Sequence, residues 1–282
     1  MRPPFAAVPD DVLTEILVRL PAVEVVRGMR VCKQWRRVTN THRFWVQKCV
    51  VDDYLAAPEC TSLFARLPLA PLVRAICKRA FERNLLADDF TSGPPKLDAR
   101  WKNGGRGTMA WRVESPPVLF GNQSAPEQDT NKVPFESCLV SSCVEASRSI
   151  AVDLRAHGLE PQLLDALKPT IVAREHFSNR WDCGCWYAFR TEVKREQPRG
   201  RKRAASSTTR RDEPPAQQTE ERIPQGEKQC WRMAEHRYTV YPDGHPIVEL
   251  CTCGSDTRFW AGNYGVKVAG TSLVVKFESN RQ

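Results

Sequence analysis

Residues 8–21 read VPDDVLTEILVRLP, and residues 30–37 read RVCKQWRR. In the first stretch, apolar residues recur at helical intervals with charged residues between them, which is typical of an amphipathic helix. These apolar residues are Val12, Leu13, Ile16, Leu17 and Leu20. Pro9 suits the first turn of that helix, and Pro21 ends it. The second stretch places Cys32 and Trp35 on one side of a further short helix. We therefore predict a set of short helices at the N-terminus.

Such short helices bury too little apolar surface to be secure alone. The remaining apolar area must be covered by a partner or by the rest of the chain, and periodicity alone leaves both interpretations open. The proline spacing and the Val-Cys-x-x-Trp-Arg element at 31–36 resemble the F-box, although Val8 and Val26 stand where leucine is commoner. The resemblance implies docking on the Skp-type adaptor of a cullin ubiquitin ligase, through Pro9, Val12, Leu13, Ile16, Leu17, Leu20, Pro21, Val31, Cys32 and Trp35. The chain would then be a non-catalytic subunit, because other subunits of such a ligase carry out the chemistry.

The composition predicts an intracellular protein of more than one domain. The 282 residues are 41% hydrophobic and 27% charged, as in ordinary globular proteins. No apolar run is long enough to span a bilayer, and the N-terminus lacks the pattern of a signal peptide, so we expect a soluble chain that is not secreted. The 11 cysteines are scattered and odd in number, which favours reduced thiols in the cytoplasm or nucleus over a disulfide framework.

The remainder of the chain changes character at residue 84. Residues 51–83 are predicted to be a helical linker, because apolar residues fall at helical spacing between Leu72 and Leu86. From 84 onward, short segments rich in aromatic and β-branched residues are separated by Gly, Pro, Asn and Asp. These segments are 110–113, 137–144, 149–154, 186–193, 232–241, 246–253, 266–268 and 272–277. The expected fold class is multidomain α + β, with a helical segment at 1–50 and an antiparallel β-sandwich at 84–282.

These segments, taken in order, resemble the F-box-associated, sugar-recognising domain that follows an F-box in some ubiquitin-ligase receptors. The most specific match is GSDTRFWAGNYG at 254–265, and RWDCGCWY at 180–187 is also close. The stretch NGG at 103–105 matches the first turn of that domain, and WRVE at 111–114 matches its first strand. The resemblance extends from residue 84 to 277 and implies that this part of the chain selects what is ubiquitylated.

The resemblance also indicates where a sugar would bind. In the sugar-binding relatives, an aromatic pair, the lysine after it and a phenylalanine on a neighbouring loop grip the inner chitobiose of N-linked glycans. Aromatic rings suit the apolar face of a pyranose. Here Trp260 is kept, Phe259 replaces a tyrosine, Ala261 replaces the lysine, and Cys143 stands in place of the phenylalanine. Two interpretations stay open: a receptor for high-mannose N-linked glycoproteins in ER-associated degradation, and a receptor that recognises a protein surface without sugar. Trp260 could equally pack inside the sandwich.

Residues 194–228 interrupt the sandwich pattern with Pro, Gln, Ser, Thr, Arg and Glu. Such a composition buries too little apolar surface to fold, so we predict a disordered basic insertion. The run at 199–211 carries much of the net charge of +9. An alternative hypothesis makes this run a nuclear-targeting or nucleic-acid-binding element, and the protein a nucleic-acid-associated binder. The receptor hypothesis is favoured because its resemblances cover far more of the chain.

Two Cys-x-Cys pairs raise the question of a metal site. If both pairs lie in strands, Cys183 and Cys185 share one face of a sheet, and so do Cys251 and Cys253. Four thiolates from neighbouring strands could bind zinc. The spacing is shorter than in the usual zinc knuckle, and the first pair has a packing role in the domain that the chain resembles. We therefore expect no metal and no cofactor. We also see no nucleophile elbow and no phosphate-binding glycine loop.

Overall fold

The computed structural model describes residues 8–54, 64–87, 101–105, 111–117, 135–195, 214–227, 229–240, 242, 246–258 and 262–276. The chain divides into two compact units. The first unit contains the N-terminal helices together with residues 154–169, and the second contains the strands within 83–153 and 170–275. The predicted fold class, short helices followed by an antiparallel β-sandwich, is confirmed.

The described helices of the first unit are short, and two of them have a side-chain N-cap. Asp10 and Asp11 lie in the first turn of the first helix, at the positive end of its dipole. Cys32 Sγ and Thr41 Oγ1 accept hydrogen bonds from the backbone N–H groups of Trp35 and Phe44 and cap two further helices. The helices are α1 (Asp10–Leu17), α2 (Ala22–Gly28), α3 (Lys33–Thr39), α4 (His42–Val51), α5 (Leu69–Cys77) and α6 (Pro161–Leu167), and a 3₁₀ turn at Leu154–His157 precedes α6.

Among the described residues, the core of the helical unit contains one charged side chain, Lys48 of α4. Its Nζ donates to the carbonyl of Val18 at 3.1 Å and to Asp52 at 2.9 Å. The buried ammonium group is therefore both hydrogen-bonded and paired, as a buried charge must be. Trp45, also fully buried, donates its indole N–H to the carbonyl of Thr39 at 2.8 Å. These bonds hold α4 against the end of α1 and the end of α3.

Helix α5 ends earlier than the sequence predicts. Helical spacing continues to Leu86, but the helix ends at Cys77 because Arg79 adopts a left-handed backbone with φ 46°. The N–H groups of Arg79 and Ala80 donate to the carbonyls of Ile76 and Ala75, which are the two bonds of a Schellman motif. Glycine usually marks this position in a sequence. Arginine gives no such signal, so the predicted length was wrong.

Residues 154–169, which the sequence analysis assigned to the sandwich, pack with the helices. Lys78 Nζ donates to the carbonyl of Ala156 at 2.6 Å, and Arg74 forms an ion pair with Glu160. Gly158 has φ 90°, and a Cβ there would lie 3.1 Å from the Arg74 carbonyl oxygen. The turn therefore needs glycine for both its conformation and its close approach to α5. The boundary between the units is thus discontinuous along the chain.

The sandwich consists of two five-stranded sheets. Its strands are β1 (Lys102–Gly105), β2 (Trp111–Glu114), β3 (Cys138–Ser141), β4 (Ala146–Asp153), β5 (Thr170–Ser178), β6 (Cys185–Arg195), β7 (Gln217–Ile223), β8 (Arg232–Tyr238), β9 (Pro246–Asp256) and β10 (Lys267–Lys276). The first sheet has the order β1–β4–β9–β6–β7, and the second has the order β2–β3–β10–β5–β8. In the core, the rings of Phe177 and Tyr187 stack with their centroids 3.9 Å apart.

Two details of the strand prediction are wrong for reasons that involve glycine. The NGG stretch at 103–105 lies in β1, where Gly104 is opposite Ser147 of β4, and does not form a turn. The predicted strands at 266–268 and 272–277 are parts of one strand, β10, which continues through Gly270 with φ 58°. Glycine in a strand marks a local irregularity as often as it marks an end.

The insertion predicted to be disordered contains strand β7. It pairs antiparallel with β6 along its whole length, from Gln217 to Ile223. Ile223 is its only buried residue, and the others alternate between half-buried and exposed. An edge strand needs few apolar residues because the backbone ladder supplies its pairing and one side faces solvent. The prediction of disorder is therefore wrong for β7, while residues 196–213, which include the whole basic run at 199–211, lie outside the described residues.

Candidate partner-binding surfaces

The first two helices and the residues beside them carry a concentration of exposed apolar side chains. The exposed fraction is 45% for Val12, 52% for Ile16 and 66% for Val31, and Val8, Val23 and Val26 are also exposed. Pro9, Pro21 and Cys32 are exposed as well. Single exposed apolar residues are ordinary, but this many within one short segment are typical of an interaction surface. We call the residues named in this paragraph the helical face.

A shallow depression adjoins the helical face. It is lined by Val26, Met29, Arg30, Cys32, Lys33 and Arg36, so apolar and basic side chains share its lining. The start of α1 is held in place beside it by α3. Arg37 donates two hydrogen bonds to the Asp10 carboxylate, at 2.6 and 2.8 Å, and Gln34 donates to the same carboxylate at 3.0 Å. The hydrogen bonds from Gln34 and then Arg37 lower the pKa of Asp10.

Two of the residues predicted to contact the adaptor are not part of the exposed surface. Leu13 is 4% exposed and Leu17 is fully buried, so both build the core of the helical unit. Leu20 and Trp35 are half-buried, and the Trp35 ring lies so close to Gly28 that a Cβ there would be 3.0 Å from it. The apolar stripe of α1 is wide enough to pack in the core on one side and to form part of the exposed surface on the other. Leu13 and Leu17 face inward, while Val12 and Ile16 face solvent.

The second candidate surface lies at one end of the sandwich, where the β3–β4 turn meets the β9–β10 loop. Cys143 is half-buried in the turn. The carbonyl of Ser142 accepts the backbone N–H of Asp256 at 3.1 Å, and the carbonyl of Ser141 accepts that of Gly265 at 3.0 Å. Both ends of the β9–β10 loop are therefore fastened to the turn. A Cβ on Gly265 would lie 2.2 Å from Ser141 Oγ, so this contact requires glycine.

Side chains around the β9–β10 loop add further order. Arg180 lies over the ring of Tyr264 at 4.8 Å and donates to Asp182 at 2.7 and 3.0 Å. Phe259, Trp260 and Ala261 belong to this loop but lie outside the described residues. The structure therefore brings the turn that carries Cys143 to the loop that carries the other three predicted glycan-contacting residues.

A buried charged network supports the sandwich, and the sequence analysis did not find it. Glu175 of β5 is fully buried and accepts hydrogen bonds from four side chains, which are Arg148 at 2.5 Å, Thr271 at 2.7 Å, Thr252 at 2.9 Å and Tyr187 at 3.2 Å. The Arg148 guanidinium also lies 4.4 Å from the ring centroid of Trp101. The donors come from β4, β10, β9 and β6, so the carboxylate ties both sheets together. Burial and the neighbouring Glu175 raise the pKa of Tyr187.

The two Cys-x-Cys pairs do not form one site. Cys185 is buried opposite Asp256 on the core side of the first sheet, whereas Cys251 and Cys253 alternate with core residues and face outward. Burial raises the pKa of Cys183 to about 11 and that of Cys185 to about 12, as expected for packing thiols. The alternative of a four-thiolate zinc site is therefore wrong, because the pairs lie on opposite faces. Within the described ranges, no group of three or more His, Cys, Asp or Glu side chains is arranged to hold a metal ion.

Comparison with known proteins shows which family the chain belongs to. A family model described as the F-box associated region matches residues 76–275, and a model described as F-box-like matches residues 5–51. The chain belongs to the F-box associated family. The F-box-like match spans α1 to α4, and the F-box associated match runs from the end of α5 into β10. None of the helices described here is long and apolar enough to cross a membrane.

Relatives in this family match nearly the full chain. F-box only protein 6 of Bos taurus is 28% identical over 277 residues, covering 97% of this chain and 93% of the relative. F-box only protein 6 of Homo sapiens is 27% identical over 277 residues, covering 97% and 84%. F-box only protein 17 of Homo sapiens is 26% identical over 284 residues, covering 96% and 92%. This F-box protein therefore shares both parts of its architecture with its relatives.

Proposed function

We propose that this F-box protein is the substrate-recognition subunit of a Skp-cullin-F-box ubiquitin ligase. The helical face docks on the Skp-type adaptor, and the cullin scaffold joins through the adaptor. The observation that carries the proposal is that the F-box-like match coincides with exposed apolar residues on α1, on α2 and just before α3. A partner that covers this face removes its apolar area from water. Ubiquitin transfer itself is left to other subunits.

The docking proposal is tested by co-purification of the full chain with the Skp-type adaptor. We expect Val12→Asp combined with Ile16→Asp to abolish adaptor capture, because both side chains are about half exposed and would bring charge into an apolar interface. The matched control is Val50→Asp on α4. Val50 is 58% exposed, and α4 carries none of the proposed docking residues.

The control variant should bind the adaptor like the native chain. Leu17→Asp is unsuitable as a test, because Leu17 is fully buried and the variant would unfold the helical unit. The proposal fails if the Val12 and Ile16 double variant, with native helical content by circular dichroism, still co-purifies with the adaptor.

The substrate would bind at the loop end of the sandwich, defined as Cys143 with the β9–β10 loop. Three hydrogen-bonded or stacked contacts support this assignment: Asp256 with Ser142, Gly265 with Ser141, and Arg180 with Tyr264. A loop surface fastened to a rigid scaffold is where binding residues are commonly found. N-linked glycoproteins for ER-associated degradation are the substrate class that Trp260 favours. A protein surface is the class favoured by Ala261 and Cys143.

One bead experiment decides between these substrate classes. The full chain is passed over a high-mannose N-glycoprotein and over the same protein after enzymatic removal of its glycans. We expect glycan-dependent retention that is lost in Trp260→Ala and kept in Trp181→Ala, since Trp181 is 40% exposed outside the β9–β10 loop. Equal retention on both beads would assign the loop end to a protein surface. Retention of the native chain on neither bead would reject the sugar hypothesis.

A further inference from the structure

Cys251 and Cys253 form an outward-facing pair of thiols on β9, which we call the outer dithiol. They alternate with Leu250 and Thr252, which are fully buried in the core, so both thiols lie on the opposite face of the sheet. Each cysteine is half-buried, and their Sγ atoms are 3.9 Å apart. Neither thiol takes part in the candidate surfaces described above.

The neighbouring strands keep the outer dithiol clear of bulky groups. Strand β9 is the central strand of its sheet. On β4, Ser149 is opposite Cys251 and Ser147 is opposite Cys253. On β6, Arg190 is opposite Cys251 and Ala188 is opposite Cys253. Three of these four neighbours are small, and the fourth is a cation, which favours negative charge on the sulfur atoms.

We propose that the outer dithiol binds one monovalent copper ion. Two sulfur atoms at about 2.3 Å from a single ion, as in zinc thiolates, are about 4.0 Å apart at the angle of a three-coordinate trigonal site, and the observed separation is 3.9 Å. Soft thiolates favour Cu(I), whereas a structural zinc site requires four protein ligands. The described residues supply no third metal-binding side chain here, so a water or a small thiol completes the coordination. Binding releases the protons that the two thiols still carry, and no electron is transferred.

The geometry of Cys251 and Cys253 is less favourable for a disulfide bond. Residues two apart in a strand have Cα atoms about 6.6 Å apart, at the upper end of the range for disulfides. Closing the bond would buckle β9, which is paired on both sides, with β4 and with β6. A bound ion joins the sulfur atoms without moving the backbone. The geometry therefore favours metal binding over oxidation.

The test is a Cu(I) titration of the reduced full chain under anaerobic conditions, in competition with a chromogenic Cu(I) chelator. The variants are Cys251→Ser and Cys253→Ser, and the control is Cys230→Ser, which removes an exposed thiol elsewhere. We expect each dithiol variant to hold one ion fewer than the native chain and the control to match the native chain. Circular dichroism confirms that the variants, altered on an outer face, remain folded.

A second measurement needs no substitution. The native chain is alkylated with iodoacetamide before and after one equivalent of Cu(I), and the modified peptides are identified by mass spectrometry. We expect Cys251 and Cys253 to be protected only in the presence of Cu(I). The proposal is overturned if both stay equally reactive, or if either serine variant holds as many ions as the native chain.

Discussion

Glu175 shows how one residue can hold the sandwich together. Its carboxylate is fully buried and paired with Arg148, whose side chain is 4% exposed. Removing one member of a buried ion pair leaves the other charge without compensation and costs about 3–5 kcal/mol. We therefore expect Glu175→Gln to lower the free energy of unfolding by that amount, measured from the urea midpoint and slope of the full chain.

Glu249→Gln is the matched control for Glu175→Gln. Glu249 also pairs with a cation, Lys194 at 2.6 Å, but its side chain is 46% exposed. An exposed pair of this kind contributes less than about 1 kcal/mol. In addition, Arg148→Met should cost less in the Glu175→Gln background than in the native chain. Equal costs in both backgrounds would show that the two residues do not act as a pair.

Two histidines with lowered pKa values make the free energy of unfolding depend on pH. Burial lowers the pKa of His236 below its ordinary value of 6.5, and burial together with Arg174 lowers that of His176. The unfolded chain therefore binds protons more readily than the folded chain, so stability rises with pH in this range. The stabilisation from keeping these histidines neutral is fully present above pH 6.5, the pKa of histidine in the unfolded chain. It is lost as the pH falls through the lower pKa values of the folded chain. Urea unfolding at pH 7 and pH 5 should show a loss of stability on acidification.

His236→Gln isolates this effect. His236 contacts Thr191 at 2.8 Å and Thr219 at 3.0 Å, and glutamine keeps polar atoms for these partners. The variant should lose less stability between pH 7 and pH 5 than the native chain does. Asp10 and Glu235, whose pKa values are lowered, act in a more acidic window and do not interfere. An unchanged pH slope in the variant would exclude His236 as a source.

Sequence analysis did not find the buried polar residues of the sandwich. Cys143 stays a predicted contact residue, and the structure fastens the turn that carries it to the β9–β10 loop. Glu175 was missed, because a charged residue in a strand normally faces solvent and its partners are distant in sequence. Leu13 and Leu17 were assigned to docking by the resemblance to the F-box, and the periodicity of α1 does not show which part of its apolar stripe is buried.

At the scale of the element, the end of α5 was predicted too far along the chain. It is marked by a non-glycine residue in a left-handed conformation, Arg79 with φ 46°, and α4 ends in the same way at Asp53 with φ 49°. By contrast, strand β9 was predicted nearly to its full extent, because alternation of buried residues persists along it. Strand β7 was missed since its stability comes from backbone pairing with β6, which composition does not record.

The end of α4 gives a prediction of stability in both directions. Asp53 lies where glycine is preferred, and Tyr54 N–H donates to the Cys49 carbonyl at 2.9 Å as in a Schellman motif. Asp53→Gly should raise the free energy of unfolding by about 0.5–1 kcal/mol, because glycine adopts this conformation without steric cost. Asp53→Val should lower it, since a β-branched residue is strained there. Urea midpoints that shift in the same direction for both variants would contradict this account.

At the scale of the whole molecule, the proposed function requires both surfaces in one chain. Val12→Asp with Ile16→Asp changes only the helical face and leaves the residues at the loop end untouched. We therefore expect this variant to capture substrate normally but to support no substrate ubiquitylation in a reconstituted ligase. The measurements are bead retention and ubiquitin ladders from the same preparation. Loss of both activities together in a folded variant would contradict the separation of roles.

The placement of residues 154–169 has a consequence for how this protein can be cut and recombined. The backbone passes between the two units at 82–83, 153–154, 169–170 and 275–276, so four peptide links join them. A single proteolytic cut cannot release either unit. A fragment that starts at residue 84 would expose Leu163 and Leu164, which are buried in the full chain, because it lacks the helices of their unit. The F-box associated part of the chain is therefore not separable as one continuous segment. To exchange it between F-box proteins, the helical residues that pack against residues 154–169 must be transferred with it.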